Sequence, residues 1–167
     1  MTLDDSIYVL DANVFIQAKR KYYAFDLAPG FWDSLVDLAE HGRIESIDRV
    51  KKELYNGRDE LTEWANNYFS DAFISTNDEE VIQAFRLIMA WVNQGEFLDA
   101  AISEFAAGAD GWLVAYAMTK GRIVVTQEVL NPNIKRRVPI PNVCQGFNMS
   151  YVTTFEMLRA LGVRWIS

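Results

Sequence analysis

Short apolar runs alternate with longer amphipathic segments along this chain. The clearest strand patterns are the runs IYVL (residues 7–10), RIESI (43–47) and RIVVT (122–126), which are rich in β-branched side chains. Weaker strand patterns lie at residues 72–75, 148–152 and 163–166. Short strands of this kind, each bounded by turn or helix signals, predict a small sheet buried in the core.

Helical periodicity fills most of the remaining sequence. It is strongest at residues 77–93, where apolar side chains recur at spacings of three and four. Further helices are predicted at residues 12–19, 31–40, 48–57, 58–69, 97–106 and 153–161, and from Asp110 until Gly121. Pro29 and Gly30 should break the structure before one helix, Gly42 should follow its end, and Asp48 should cap the next helix. Residues 127–142, with three prolines, predict a long loop.

The alternation of strands and helices predicts an α/β fold. We expect a single domain over residues 1–167, built as a three-layer α/β/α sandwich around a central, mostly parallel sheet. In such sheets ligands bind outside the carboxyl ends of the strands. Asp11 and Glu128 follow two of the apolar strands, so both should lie at that edge.

Composition narrows the class of protein. Of 167 residues, 50% are hydrophobic and 23% are charged, which is typical of a globular chain. No apolar run approaches the roughly 20 residues of a membrane span. The acidic N-terminus is unlike a signal peptide, and the single cysteine fits a reducing compartment, so we expect a cytoplasmic protein. The net charge of −7 argues against tight, non-specific binding to duplex nucleic acid.

Four acidic residues are the candidate chemistry: Asp11, Glu53, Asp110 and Glu128. Each also has an ordinary explanation. Asp11 and Asp110 could cap helices, and Glu53 and Glu128 could be surface carboxylates. Their order is the informative feature: an Asp after a strand, a Glu on a helix, an Asp that opens a helix, and a Glu after a strand. If the strand order brings them together, their mutual repulsion favours a bound divalent cation.

The available ligands favour a hard cation. Carboxylate oxygens suit Mg²⁺ or Mn²⁺, whereas one histidine and one cysteine cannot build a typical zinc site. A Ser/His/Asp hydrolase would depend on His41, and no nucleophile is evident near it. These observations predict metal-dependent hydrolysis of a phosphodiester.

Three segments carry a family resemblance. The opening IYVLDANVFI (7–16), the run ADGWLVAYA (109–117) and the turn VVTQE (124–128) resemble, in that order, the motifs of PIN domains, the nuclease fold of many bacterial toxin–antitoxin ribonucleases. DANVFIQAK (11–19) with PGFW (29–32) is more closely similar to an uncharacterised bacterial PIN-like family. Two departures are the fourth acid, Glu128, where Asp is commoner, and a large aromatic segment at residues 22–32.

The resemblance implies an activity and a ligand set. It implies an endoribonuclease that uses Mg²⁺ or Mn²⁺, leaves 5′-phosphate and 3′-hydroxyl ends, and is the toxin partner of a protein antitoxin. Asp11 and Asp110 would hold the principal metal, and Glu53 and Glu128 would complete the site directly or through water. Asn13 and Thr126 could orient ligands, or could simply make local turn hydrogen bonds.

Basic residues near the acids are candidates for RNA contact. The run KRK (19–21), with Lys19 and Arg20, precedes two tyrosines, and the run KRR (135–137), with Lys135 and Arg136, follows Glu128. Phosphate contact and base stacking at such positions suit single-stranded RNA. Solvated surface explains the same residues equally well. The aromatic segment at 22–32 fits core or a partner interface better than a base platform.

Other functions stay open. A PIN-like module with little catalysis could bind RNA or assemble a complex, and a homodimer is compatible with either activity. An enzyme with an aspartyl nucleophile could use Asp11, but such enzymes usually carry a second Asp two residues later, where this chain has Asn13. A receiver domain would need a pair of acids directly after the first strand, and Asp11 stands alone there.

Overall fold

A five-stranded parallel sheet forms the centre of the protein. The computed structural model describes residues 5–163, apart from the Tyr22 side chain. Its strands are β1 (Tyr8–Leu10), β2 (Ile44–Ile47), β3 (Phe73–Ile74), β4 (Ile123–Val125) and β5 (Tyr151–Val152). They lie in the order β3-β2-β1-β4-β5, and every pair is parallel. The strand predicted at residues 163–166 extends beyond the described residues.

Helices connect the strands. They are α1 (Ala12–Gln17), α2 (Pro29–Glu40), α3 (Asp48–Asn56), α4 (Glu60–Tyr68), α5 (Glu79–Gln94), α6 (Asp99–Ala107), α7 (Asp110–Lys120), α8 (Ile140–Gly146) and α9 (Thr154–Ala160). The strand order reverses after β1, and right-handed crossovers then place helices on both faces of the sheet. The predicted three-layer α/β fold with a parallel sheet is confirmed. Within residues 5–163, no helix is long and apolar enough to cross a membrane.

Three local predictions are wrong. Pro29 and Gly30 do not precede the helix but begin α2, since proline suits the first helical position, where its missing N–H is not needed. Asp48 does not cap α3 but is its first residue, and its carboxylate accepts hydrogen bonds from the backbone N–H (3.1 Å) and hydroxyl (2.8 Å) of Thr76. The loop predicted over residues 127–142 ends early, because α8 begins at Ile140.

The central strand, β1, is buried along its whole length and has a neighbouring strand on each side. In β1, Tyr8 pairs with Ile44 of β2 and with Ile123 of β4. Gly42 and Gly121, with φ of 71° and 68°, end α2 and α7 in the left-handed conformation and turn the chain into β2 and β4. Because every strand pair is parallel, the carboxyl ends of all five strands lie at one edge of the sheet.

Aromatic side chains fill the space beside α1 and α2. Phe15, Phe31 and Trp32 are buried, and Trp32 packs edge-on against Trp64 with ring centroids 4.9 Å apart. Phe25 stacks on Trp32 at 4.2 Å. Much of the aromatic segment at residues 22–32 is therefore core.

Candidate metal centre

The four acids line one cavity at the carboxyl edge of the sheet. The cavity has a volume of about 270 Å³, and its walls include Asp11, Glu53, Asp110 and Glu128. Asp11 directly follows β1, Glu53 projects from α3, Asp110 is the first residue of α7, and Glu128 lies three residues beyond β4. The fold therefore brings together carboxylates that are far apart in sequence.

Asp11 is the most deeply buried of the four. It is 2% exposed, and its Oδ2 accepts a hydrogen bond of 3.1 Å from Oγ1 of Thr126. The same hydroxyl accepts a hydrogen bond of 3.1 Å from the backbone N–H of Glu128. Burial, followed by the charge of Glu128, raises the pKa of Asp11 to about 7. Thr126 thus links the end of β1 to the turn after β4.

Asp110 shares this environment. The capping explanation fails for this residue, because Asp110 is the first residue of α7 and Ala109 occupies the N-cap position. Burial, followed by the charges of Asp11, Glu128 and Glu53, raises the pKa of Asp110 to about 8. The pKa of Asp110 therefore depends on its burial and on the other three acids of the cluster.

Glu53 and Glu128 each bind a backbone N–H at the rim. Oε1 of Glu53 accepts from Ala109, directly before α7, at 3.1 Å, and Oε1 of Glu128 accepts from Ile140, the first residue of α8, at 2.8 Å. Oε2 of Glu128 also lies 3.6 Å from Nη2 of Arg137. The two glutamates therefore bond to the backbone at the N-terminal ends of α7 and α8, and both line the cavity.

The donor chemistry fits Mg²⁺ or Mn²⁺. All four acids offer hard oxygen ligands, and burial together with the charges of neighbouring acids raises the pKa values of Asp11 and Asp110. Among residues 5–163, however, no three acidic, histidine or cysteine side chains form a ready-made ligand set. A magnesium site does not require one, since Mg²⁺ keeps several waters and binds proteins through one or two carboxylates.

The supporting residues divide into two groups. Asn13 lines the cavity, and the Thr126 hydroxyl bonds both to Asp11 and to the backbone N–H of Glu128. The cations predicted to contact RNA do not line the cavity. Lys19 binds Asp59 at 2.5 Å and Lys135 lies 3.7 Å from Glu96. Arg20 and Arg136 are exposed.

Two charged residues of the cavity wall were not singled out by the sequence analysis. Glu104 lies on α6 among small side chains, and a lone exposed glutamate carries no signal of a site. Arg137 belongs to the KRR run, but the sequence does not show which of its three cations turns inward. The structure selects Arg137, which also lines a neighbouring groove with Asn13 and Lys21.

The fold and the acidic cavity define an α/β domain of PIN-like fold. The structure is similar to a chain in the crystal structure of VapBC2 from Rickettsia felis bound to a DNA fragment from their promoter. The TM-score is 0.53 and the identity 15%, over 88% of this chain and 98% of that chain. At this identity the similarity shows the fold alone.

Sequence comparison then gives the family. A family model matches residues 8–165, and the chain belongs to the family described as domain of unknown function DUF4411. Curated proteins give no match.

Proposed function

We propose that this protein is an endoribonuclease that depends on Mg²⁺ or Mn²⁺ and is the toxin partner of a protein antitoxin. The observation that carries the proposal is the convergence of Asp11, Glu53, Asp110 and Glu128 on one cavity at the carboxyl edge of a parallel sheet. Helix-start roles, such as that of Asp11 at the N-cap of α1, explain single acids but not why all four line one cavity. Raised pKa values at Asp11 and Asp110 are typical of functional sites.

The residues divide the work of the proposed reaction. Asp11 and Asp110 would hold the cation, and Glu53 and Glu128 would complete its shell directly or through water. A bound Mg²⁺ or Mn²⁺ supplies Lewis-acid stabilisation of phosphate charge and lowers the pKa of bound water. Thr126 orients Asp11 by donating a hydrogen bond to Oδ2. Cleavage by water attack would leave 5′-phosphate and 3′-hydroxyl ends.

The antitoxin rests on two similarities. The fold matches a chain of VapBC2, and the sequence motifs resemble those of PIN-domain toxins. Expression of the wild-type chain should then arrest growth, and Asp11→Asn should relieve the arrest. Harmless expression of the wild type at high level would contradict the toxin role without touching the nuclease role.

Cleavage of labelled single-stranded RNA tests the nuclease. We expect cleavage with Mn²⁺, none with EDTA, and loss of activity in Asp11→Asn and in Asp110→Asn. Asp26→Asn is the matched control, because it makes the same change at an exposed aspartate. Cleavage that survives in both site variants would overturn the assignment.

One observation favours a second candidate function. Because no three acids form a ready-made ligand set among the described residues, the fold could serve as an RNA-binding or assembly module with little catalysis. RNA binding by the wild type without cleavage in Mg²⁺ or Mn²⁺ would select this alternative.

A further inference from the structure

Arg49, four residues before Glu53 on α3, lies on a column of two aromatic rings. Its guanidinium carbon lies 3.9 Å from the centroid of the Trp112 ring, and Phe85 stacks on the same ring at 4.0 Å with an interplanar angle of 7°. Two groups this close to one centroid must cover opposite faces of the indole. Phe85, Trp112 and Arg49 therefore form a continuous column that ends in a positive charge.

Helices α3 and α7 carry residues of this column and also residues of the acidic cavity. Arg49 lies on α3 one turn before Glu53, and residues four apart share one face of a helix. Trp112 lies on α7 two residues after Asp110. The same pair of helices therefore carries Arg49 with Trp112 and the two acids Glu53 and Asp110. The backbone of Arg49 therefore lies about one helical turn, roughly 6 Å along the axis of α3, from that of Glu53 in the cavity wall.

The charge of Arg49 is available for a ligand. Its Nε donates to Oγ1 of Thr76 at 3.1 Å, which fixes one edge of the guanidinium. Within residues 5–163 it has no ion pair, and neither terminal nitrogen has a hydrogen-bond acceptor. Arg49 is exposed. It is a cation in a chain whose net charge is −7. An oriented arginine with free donors suits a phosphate group.

The strand order gives the position of Arg49 relative to Arg137. Arg49 follows β2, Asp11 follows β1, and Glu128 with its neighbour Arg137 follows β4. Because the strands lie in the order β2-β1-β4 and are parallel, the backbone of Arg49 lies on the β2 side of Asp11, and Arg137, in contact with Glu128, lies on the β4 side. A polyanion laid across the sheet edge would meet a cation before the acids and another cation after them.

We propose that Arg49, held on Trp112, binds a backbone phosphate of single-stranded RNA on the β2 side of the cavity. This inference rests on the proposed function, since it names how the same site holds its substrate. Both faces of Trp112 are covered, so the indole acts as a support for Arg49 and does not stack on a base. Arg49 is thus a substrate-binding residue and Trp112 a positioning residue.

The test measures RNA binding separately from cleavage. The parent protein is Asp11→Asn, and its binding to a short labelled RNA is followed by fluorescence anisotropy over a series of NaCl concentrations at fixed Mg²⁺. For single strands, each phosphate contact contributes about 0.7 to the slope of log K against log salt. Adding Arg49→Gln should lower the slope by about that amount and weaken binding about tenfold.

Two further variants separate charge from structure. Arg49→Lys keeps the charge but loses the planar fork, so its slope should match the parent while its affinity falls between the parent and Arg49→Gln. Arg159→Gln removes the same charge from the last turn of α9, at the opposite end of the sheet, and should change neither quantity. If Arg49→Gln fails to fold, the affinity of Arg49→Lys decides. An RNA affinity equal to that of the parent would refute a role for the guanidinium.

The outcomes also distinguish this inference from the proposed function. An unchanged slope in folded Arg49→Gln, with RNA bound by the parent and cleaved by the wild type, overturns the role of Arg49 alone. Absence of RNA binding by both the parent and the wild type overturns the role of Arg49 together with the ribonuclease.

Discussion

The hydroxyl of Thr126 donates a hydrogen bond of 3.1 Å to Oδ2 of Asp11 across the ends of β4 and β1. Both residues are buried, at 1% and 2% exposure. The bond lowers the pKa of Asp11 against the larger effect of burial. Thr126 therefore favours the ionised form of the carboxylate that the proposed metal needs.

Thr126→Val should weaken metal binding without disturbing the core. Valine keeps the shape of threonine but removes the donor to Asp11 and the acceptor of the Glu128 N–H, so the pKa of Asp11 should rise further. Loss of an outer hydrogen bond to a ligand typically costs 10- to 100-fold in metal affinity, and we expect about tenfold here. Calorimetric titration with Mn²⁺ measures the change. Thr119→Val is the control, because the Thr119 hydroxyl bonds only to carbonyls of its own helix. Equal affinities in the two variants would contradict this role of Thr126.

The metal-free protein should lose stability as the pH rises. Unfolded aspartates ionise near pH 3.9, whereas the folded pKa values of Asp11 and Asp110 are raised to about 7 and about 8. Between these limits the folded state binds more protons than the unfolded state. The stability that the pair contributes is therefore complete below about pH 4 and is lost by about pH 8. Urea denaturation in EDTA at about pH 5 and about pH 8.5 measures the loss.

Asp110→Asn isolates this effect from every other titrating group. Because it removes one member of the pair, its stability should fall less than that of the wild type over the same pH interval. Mn²⁺ should stabilise the wild type more at the higher pH, where the carboxylates are free of protons. A parallel loss in the variant and the wild type would show that the cluster does not destabilise the folded state.

The strand pattern was enough to predict the convergence of the acids. Apolar runs at 7–10 and 122–126 placed Asp11 and Glu128 at the same edge, since parallel strands end together. Leu113, Val114 and Ala117 follow Asp110 at helical spacing and are buried, which puts Asp110 on the buried face of α7. These inferences depend on local periodicity and chain direction, which the sequence carries directly.

Contacts between distant segments were not predictable. Asp48 has the residue type of a cap, yet its carboxylate binds Thr76, which lies beyond β3. The prolines around residue 139 suggested a loop, yet Glu128 supplies an acceptor for the N–H of Ile140 and α8 begins there. The column under Arg49 joins α3, α5 and α7, and no local pattern reports such a meeting.

Gly111→Ala should destabilise the protein, although alanine is the better helix former. A Cβ at Gly111 would lie 2.9 Å from Cε1 of Phe85 and 3.0 Å from Cε2 of Phe105. Overpacking of this kind costs about 1–3 kcal/mol, whereas the gain in helix propensity is at most about 1 kcal/mol. We expect a net loss of about 1 kcal/mol, and at most about 2–3 kcal/mol, in urea denaturation. Gly57→Ala is the control, because its nearest neighbour would be 3.4 Å away, and an equal loss there would refute the packing argument.

Two substitutions of Glu128 should separate its structural role from its proposed role as a metal ligand. Its Oε1 accepts from the buried N–H of Ile140 at 2.8 Å, while the carboxylate charge faces the cavity. Glu128→Gln keeps the acceptor, so its stability should match the wild type while its Mn²⁺ affinity falls. Glu128→Ala leaves the N–H without a partner and should also lose about 1–3 kcal/mol of stability. Urea denaturation and Mn²⁺ titration on both variants test this, and unchanged Mn²⁺ affinity in Glu128→Gln would remove Glu128 from the proposed ligands.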